Sequence, residues 1–390
     1  MTACQDIHGT RASVSLIIHK CDETKPECSN CRSYQVSCSY RSDEAGLHMS
    51  KEVVTLVRAM SADNVGWLVL DSESAMALAR FGAWTASTIL DVDQNDLLER
   101  AFLVSPLAPP APASSCLRPP PSLIRCPSKE LALTPPQNPY LRHAILAVTA
   151  IHDRHRGSPL TADSSHREAY YASQGAALLH QKLSEPTLPQ DKDTLWMAAT
   201  FLGIVAFSSN ISDTPETSWP LMLSEPTDLG WLRMTATKRA IWELADALQP
   251  DGIFRNMAKD LREMYTPLPT APIEGAPAAL LRVCQLGPSS SAADNPYYTA
   301  VRTLVPLLSK ELRTPPKGNL LCFLSQMQPE FRTLLYQRDS VALLILALWY
   351  EKSRHHVWWI WHRATVEYQA IALYLRRLHW NNHGILELLP

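Results

Sequence analysis

Apolar residues recur every three or four positions through most of the chain after residue 138, which is the spacing that places side chains on one face of an α-helix. Asn138 followed by Pro139 is typical of a helix start, and the same Asn-Pro pair stands at residues 295–296. The last apolar stripe has steps of 3, 1, 3, 4, 3, 4 and 3 residues, which fit a period near 3.6. It consists of Val357, Ile360, Trp361, Ala364, Tyr368, Ile371, Leu375 and Leu378. Because no segment alternates convincingly as a strand does, the pattern predicts an all-α fold of packed antiparallel helices over residues 138–390.

The core of this helical domain is predicted from the large apolar side chains at inward positions. They are Leu141, Ile145, Val148, Trp196, Phe201, Trp242, Leu344, Leu348, Trp361 and Ile371. Burial of side chains of this size contributes about 1.5–3 kcal/mol each. We therefore expect residues 130–390 to fold alone, with a cooperative melt that a chelator does not shift.

The composition of residues 43–137 divides them into three segments. Residues 43–69 are mixed and polar, typical of a linker with one short helix around 53–60, and residues 70–104 are expected to form short helices. Eleven prolines lie within residues 105–139, and such clusters forbid helix and favour extended polyproline conformations. Residues 105–137 are therefore interpreted as a proline-rich insertion or linker, with an unspliced intron as the alternative.

Overall composition excludes some classes of protein. A content of 46% hydrophobic and 19% charged residues is that of a folded chain, and a formal net charge of −2 gives no field that would draw the whole molecule onto nucleic acid or an anionic membrane. The longest apolar runs, at 196–207 and 341–350, are shorter than the roughly 20 residues of a spanning helix. They are predicted to be buried core helices. The first twenty residues lack the apolar region of a secretory signal, so disulfides are not expected.

Four of the nine cysteines lie within eighteen residues, with the spacing C-x6-C-x2-C-x6-C. They are Cys21, Cys28, Cys31 and Cys38. A C-x2-C pair can hold one zinc ion through a tight turn, and two further thiolates complete the tetrahedron that structural zinc prefers. The surrounding stretch has too few apolar residues for a core of its own, so a metal is expected to fold it.

This cysteine stretch, CDETKPECSNCRSYQVSC, resembles the second half of the fungal zinc binuclear cluster, the DNA-binding module of fungal transcription regulators. The family pattern is C-x2-C-x6-C-x5–12-C-x2-C-x6–8-C, and the four cysteines match its third to sixth positions. The resemblance implies a nuclear protein that regulates RNA polymerase II transcription. In the complete module it also implies two zinc ions held by six thiolates and a short basic helix in the DNA major groove.

The first half of that pattern is absent from the chain. The first two cysteines would stand at Arg11 and Val14, and an apolar segment replaces the basic run, so Lys20 is the main remnant of the DNA-reading residues. Because the missing first cysteine is one that bridges both metals in the family, the chain is expected to hold one zinc ion. A misread exon boundary is favoured over true loss of the half-cluster.

DNA binding by the chain as written is predicted to be weak or absent. Residues 1–42 carry five Lys and Arg residues against four Asp and Glu residues, and a four-thiolate zinc site adds about −2 more. Only Lys20, Lys25 and Arg32 lie near the metal loop, whereas phosphate neutralisation supplies most of the affinity of DNA-binding modules.

Several helical stretches resemble the regulatory domain that follows the zinc cluster in one large group of these regulators, and the resemblance covers about residues 138–385. Examples are PYLRHAILAVTAIHDRH, LWMAATFLGIVAF and FRTLLYQRDSVALLILALWYEK. If the protein is such a regulator, its helical domain senses a signal, and a small apolar ligand taken between helices is one candidate for that signal. No sustained heptads are present, so a coiled-coil dimer is not indicated. A homodimer formed in another way stays an open alternative.

Other candidate sites favour simpler interpretations. The acidic run at 91–95 lacks the glycine and bidentate glutamate of a calcium loop, and His355, His356 and His362 have no partner carboxylate or thiol at ligand spacing. Cys284 and Cys322 stand in apolar helical surroundings and are expected to pack. No enzyme motif is present, so an enzyme is not expected. The alternative to a transcription regulator is a helical regulatory or ligand-binding protein that has lost DNA binding.

Overall fold

A computed structural model describes residues 55–60, 65–70, 72–89, 138–157, 162–209, 212–222, 229–246, 254, 258–309, 314–379 and 383–389. The chain divides into two units, Met1–Val53 and Val54–Pro390, and the described residues all belong to the second unit. The predicted metal loop, the acidic run at 91–95 and the proline-rich residues 105–137 lie outside the described residues.

Two short antiparallel strands stand first among the described elements. Strand β1 is Thr55–Met60 and strand β2 is Val65–Leu70, with Thr55 paired to Leu70 and Met60 to Val65. The prediction of a short helix around 53–60 was therefore wrong. The physical reason lies in residue type, because the two segments are rich in Thr, Val and Trp, which favour strands, and Asp63-Asn64 between them favours a turn.

All further regular elements of the described residues are helices, which confirms the all-α prediction. Helix α1 is Ser72–Arg80, and a π-helical turn, Phe81–Thr85, joins it to α2, Ala86–Ile89. The following helices are α3 Pro139–His155, α4 Ala162–Leu183, α5 Lys192–Ser208, α6 Gly230–Ala245, α7 Ala258–Tyr265, α8 Ala278–Val283, α9 Tyr298–Leu308, α10 Lys317–Ser325, α11 Pro329–Tyr336, α12 Ser340–Ser353, α13 Trp358–Leu378 and α14 His383–Leu386. Helices α1–α14 are called the helical body below. Its largest contacts join consecutive pairs, α3 with α4, α5 with α6 and α12 with α13.

Helix starts follow the Asn-Pro signals only in part. Helix α3 begins at Pro139 as predicted, after Asn138 with φ −79° and ψ 110°. Helix α9 begins at Tyr298, two residues after Pro296, because Asn295 first forms a turn of its own. Its Oδ1 accepts a hydrogen bond from the Tyr297 N–H at 2.9 Å, and its Nδ2 donates to the Cys284 carbonyl oxygen at 2.9 Å.

The core lies around helices α5 and α12, which are apolar on nearly all sides. The two apolar runs predicted to be core helices fall within these elements, and most of their side chains are buried. The Phe207 ring lies 5.0 Å from Trp231 and 5.3 Å from Trp359, centroid to centroid. Trp349 stacks on Phe323 at 5.0 Å and donates its indole N–H to the Leu320 carbonyl oxygen at 2.9 Å. Aromatic packing therefore ties α5 and α12 to their neighbours.

Most of the predicted core residues are buried, but the assignment of Trp361 to the core was wrong. Trp361 is 46% exposed, with its ring 5.8 Å from that of His155. The inward positions beside it on α13 are taken by Ile360 and by the charged residue Arg363. Trp359 and Ile360 occupy the inward face, and the turn of about 100° per residue places Trp361 beyond its edge. Trp242 is only half-buried.

The charged residue on the inward face of α13 belongs to a buried network. Arg363 forms an ion pair with Glu367, and both are 2% exposed. The Arg363 guanidinium also donates from Nε to the Phe207 carbonyl oxygen at 2.6 Å and from Nη2 to that of Ser209 at 2.8 Å. The Tyr350 hydroxyl donates to Glu367 Oε2 at 2.6 Å, and burial raises the pKa of that hydroxyl well above its usual value. The network joins α12 and α13 to the end of α5.

Residues 72–89 complete the core of the helical body. Phe81 is 1% exposed and meets the Phe201 ring edge-on at 5.4 Å, while the Thr85 hydroxyl lies 2.9 Å from His152 Nδ1. A fragment that begins at residue 130, which we expected to fold alone, therefore lacks part of this core. Residue 54, where the second unit begins, is the better boundary.

We expect Phe81→Leu to lower the free energy of unfolding by about 1–2 kcal/mol, because it removes the edge-on contact and leaves unfilled volume. Urea titration followed by circular dichroism measures the change. Met76→Leu on α1 is the control, since Met76 is 55% exposed and its replacement should stay within about 0.5 kcal/mol. Equal losses in the two variants would contradict the placement of Phe81 in the core.

Candidate functional site

The metal-binding and DNA-contacting residues predicted from sequence lie outside the described residues. They are Cys21, Cys28, Cys31, Cys38, Lys20, Lys25 and Arg32. Their assignment stays a prediction. Among the residues that the structure does describe, no group of three or more His, Cys, Asp and Glu side chains could hold a metal ion.

The three histidines considered from sequence lie near the junction of α12 and α13. His355 and His356 lie in the turn between these helices, and His362 lies within α13. Burial is the main cause that lowers the pKa of His356 and of His362 below the usual histidine value. These two imidazoles are therefore neutral at pH 7.

Among the described residues, a mostly apolar cavity of about 520 Å³ has the character of a binding site. Residues of α5, α6, α7 and α10 form most of its wall, and Ile89, Leu268, Pro316 and Trp359 form the rest. This volume falls in the range of about 300–1,000 Å³ that small-molecule sites occupy. Sequence patterns did not reveal the cavity, because its wall is assembled from four separate helices and forms only when they pack together.

An aromatic cluster forms one side of the cavity. Trp242 stacks on Tyr265 with 4.2 Å between ring centroids, and Trp196 meets Phe254 edge-on at 4.6 Å. Trp196 and Tyr265 line the cavity directly. The cluster fixes the rings of both residues, so that side of the cavity is rigid.

Four buried polar atoms of the lining residues have no hydrogen-bond partner among the described residues. They are Trp196 Nε1, Trp231 Nε1, Tyr265 Oη and Thr200 Oγ1. The three aromatic residues are each no more than 3% exposed. A buried polar group without a partner costs about 1–3 kcal/mol. The wall thus keeps unused hydrogen-bonding capacity around an otherwise apolar space.

Charged side chains of both signs also line the cavity. They are Lys238, Lys317, Asp260 and Glu263. Asp260 and Glu263 are exposed, and Lys238 places its Nζ 5.8 Å from the Trp196 ring centroid and 5.6 Å from that of Tyr265. Two cations and two anions cancel, so these side chains give the cavity no net formal charge.

The two described cysteines are free thiols with suppressed acidity. Burial, followed by the charge of Asp339, raises the pKa of Cys284 to about 12. Burial, followed by the charge of Glu263, raises the pKa of Cys322, which lines the cavity, to about 11. Both thiols are therefore protonated and poor nucleophiles at pH 7.

Two residues in the cavity wall carry a weak sequence signal. Thr200 and Gly203 interrupt the apolar run of α5, and both line the cavity. A Cβ atom added at Gly203 would meet no atom within 4 Å. A polar and a small residue inside an apolar helix thus mark the place where packing gives way to a cavity.

Comparison with known proteins identifies the front of the chain. Residues 19–45 match the fungal Zn(2)-Cys(6) binuclear cluster domain. The match confirms the resemblance drawn from the cysteine spacing. Domains of this family bind zinc and DNA in transcription regulators, and they are not enzyme domains. No curated protein matches the chain. Within the described residues, no helix is long and apolar enough to cross a membrane.

Proposed function

We propose that this chain is a fungal nuclear regulator of RNA polymerase II transcription, in which residues 19–42 carry the DNA-binding segment and the helical body receives the regulatory signal. The observation that carries the proposal is the match of residues 19–45 to the binuclear cluster domain. Cys21, Cys28, Cys31 and Cys38 stand within that match at the family's spacing.

The proposed metal centre holds one zinc ion through these four thiolates. Four cysteines satisfy the tetrahedral preference of structural zinc without a bridging sulfur. The match begins at residue 19, beyond positions 11 and 14, where Arg and Val stand in place of the first two family cysteines. Lys20, Lys25 and Arg32 are the proposed phosphate contacts.

A second candidate function follows from the absence of the first half of the zinc-cluster pattern. If the basic first half of the module is essential for DNA recognition, the chain acts as a helical ligand-binding or regulatory protein without DNA binding. Arg11 and Val14 at the cysteine positions favour this candidate. The two candidates differ in whether the purified chain selects any DNA sequence.

We expect the zinc-loaded full chain to enrich a sequence from a random duplex pool, but to bind it only weakly. With three basic residues near the loop, the logarithm of the binding constant should fall with the logarithm of salt with a slope no steeper than about −2.7, since each phosphate contact contributes about 0.9. Fluorescence anisotropy at several salt concentrations measures this slope. Joint replacement of Lys20, Lys25 and Arg32 by alanine should flatten it.

Lys259→Ala is the control for that triple variant, because Lys259 is an exposed basic residue of α7 that should leave the slope unchanged. Absence of any enriched sequence would overturn the regulator proposal in favour of the second candidate. Nanomolar selective binding at physiological salt would contradict the expectation of weak binding.

A further inference from the structure

We infer that the cavity between α5, α6, α7 and α10 binds a neutral, mostly apolar small molecule that carries a hydroxyl or carbonyl oxygen. Its role as the signal rests on the function proposed above. The binding itself concerns only the helical body and does not depend on DNA recognition.

The apolar character of the ligand follows from the wall. The partly exposed apolar side chains of Met234, Leu321 and Leu324 line a volume of about 520 Å³. Transfer of apolar surface from water into such a space is favourable by about 25 cal/mol per Å². A molecule without extensive apolar surface would gain little from this site.

The oxygen atom of the ligand follows from the donors in the wall. Trp196 and Trp231 each have an indole N–H without an acceptor among the described residues, and indole nitrogen can only donate. The Tyr265 hydroxyl, also unpartnered, can donate as well. A hydroxyl or carbonyl oxygen on the ligand supplies the acceptor that these groups lack.

Access to these donors requires small movements of the wall, because the donor atoms are covered by their neighbours. Met234 and Met264 both line the cavity, and methionine side chains are flexible enough to fill or vacate irregular space. The site therefore combines rigid donors with an adaptable apolar wall.

The neutrality of the ligand follows from the charges. The two lysines and two carboxylates in the lining cancel, so an ionised ligand would meet as many like formal charges as opposite ones there. A carboxylate or an ammonium group on the ligand would thus lose its hydration with no net formal charge in the lining to compensate for the loss. A hydroxyl or a carbonyl group meets the donors at much lower desolvation cost.

Nile red, a neutral apolar dye with a carbonyl oxygen, is a direct probe for the full chain. We expect saturable one-to-one fluorescence enhancement, and displacement of the dye by 1-decanol at concentrations at least tenfold below those needed for decanoate. Decane, which has no oxygen, should compete more weakly than 1-decanol. Decanoate as the best competitor would overturn the neutral class, and decane equal to 1-decanol would overturn the role of the donors.

Gly203→Leu tests the location of the site, because it adds a side chain to the cavity wall at a point with free space. We expect at least a tenfold loss of dye affinity with no loss of thermal stability. Gly230→Leu is the matched control, since Gly230 lies in helix α6, has equal free space and does not line the cavity. Equal dye affinity in the two variants would overturn the assigned location.

Tyr265→Phe tests the donors separately from the fold. Removal of an unpartnered buried hydroxyl should leave the melting temperature of the ligand-free chain unchanged or higher. The affinity for 1-decanol should fall about five- to tenfold, while that for decane stays the same. Loss of both affinities together with a lower melting temperature would show that Tyr265 acts only on structure and would overturn its role as a donor.

Discussion

Replacement of Glu367 by alanine should lower the free energy of unfolding by about 3–5 kcal/mol, because it leaves the Arg363 guanidinium buried without its counter-charge. Arg363 is 2% exposed, so bulk water does not solvate its guanidinium group. The Tyr350 hydroxyl loses its acceptor in the same step. Urea titration of the full chain, followed by far-ultraviolet circular dichroism, measures the loss.

A matched control stands on α6, where Arg239 Nε lies 3.1 Å from Glu243 Oε1 at the same four-residue spacing. The Glu243 side chain is 66% exposed, so Glu243→Ala should change stability by only about 0.3–0.5 kcal/mol. Similar losses for Glu243→Ala and Glu367→Ala would contradict the burial of the network. The double variant Arg363→Met, Glu367→Leu should recover much of the loss, since an apolar pair removes the uncompensated charge.

These two ion pairs show where sequence patterns stop being informative. An acid four residues after a base is typical of an exposed helix pair, and nothing local distinguishes Arg363–Glu367 from Arg239–Glu243. The difference arises from the Phe207 and Ser209 carbonyl groups, about 155 residues earlier in the chain, which accept from Arg363. Burial of a charge therefore depends on partners that are distant in sequence. Helical periodicity fails for the same reason at Trp361, which it placed in the core although the packed helices leave it exposed.

The spacing of apolar residues was sufficient to predict the helices of the helical body. The start of α3 at Pro139, the extent of α13 and the burial of the apolar runs in α5 and α12 all follow from interactions within one helix or from one continuous apolar surface. The cavity could not be predicted in that way. Its unpartnered donors, Trp196 and Trp231, have the sequence character of ordinary core residues, and the absence of an acceptor becomes visible only once four helices are packed.

The metal site was predicted from the spacing of cysteines and not from that of apolar residues. This prediction needs no distant partner, because one zinc ion requires only four thiolates within a short loop. We expect elemental analysis of the purified full chain to find one zinc ion per chain. Apparent affinities of such sites correspond to about 10–16 kcal/mol, or dissociation constants from tens of nanomolar to about a picomolar. This is the largest single free energy that we assign to any group of residues in the molecule.

Cys28→Ser should abolish zinc binding at micromolar metal, since Cys28 belongs to the C-x2-C pair and a serine hydroxyl does not replace a thiolate ligand. Cys322→Ser is the matched control, because Cys322 lies in α10 of the helical body, with its thiol protonated, and should leave one zinc ion bound. The helical melt should stay the same in Cys28→Ser and after chelation, because the helical body contains none of the four ligands. Two zinc ions per chain would contradict the single-ion site, since four cysteines without the bridging position cannot hold a pair. Zinc retained by Cys28→Ser would show that the metal lies elsewhere in the chain.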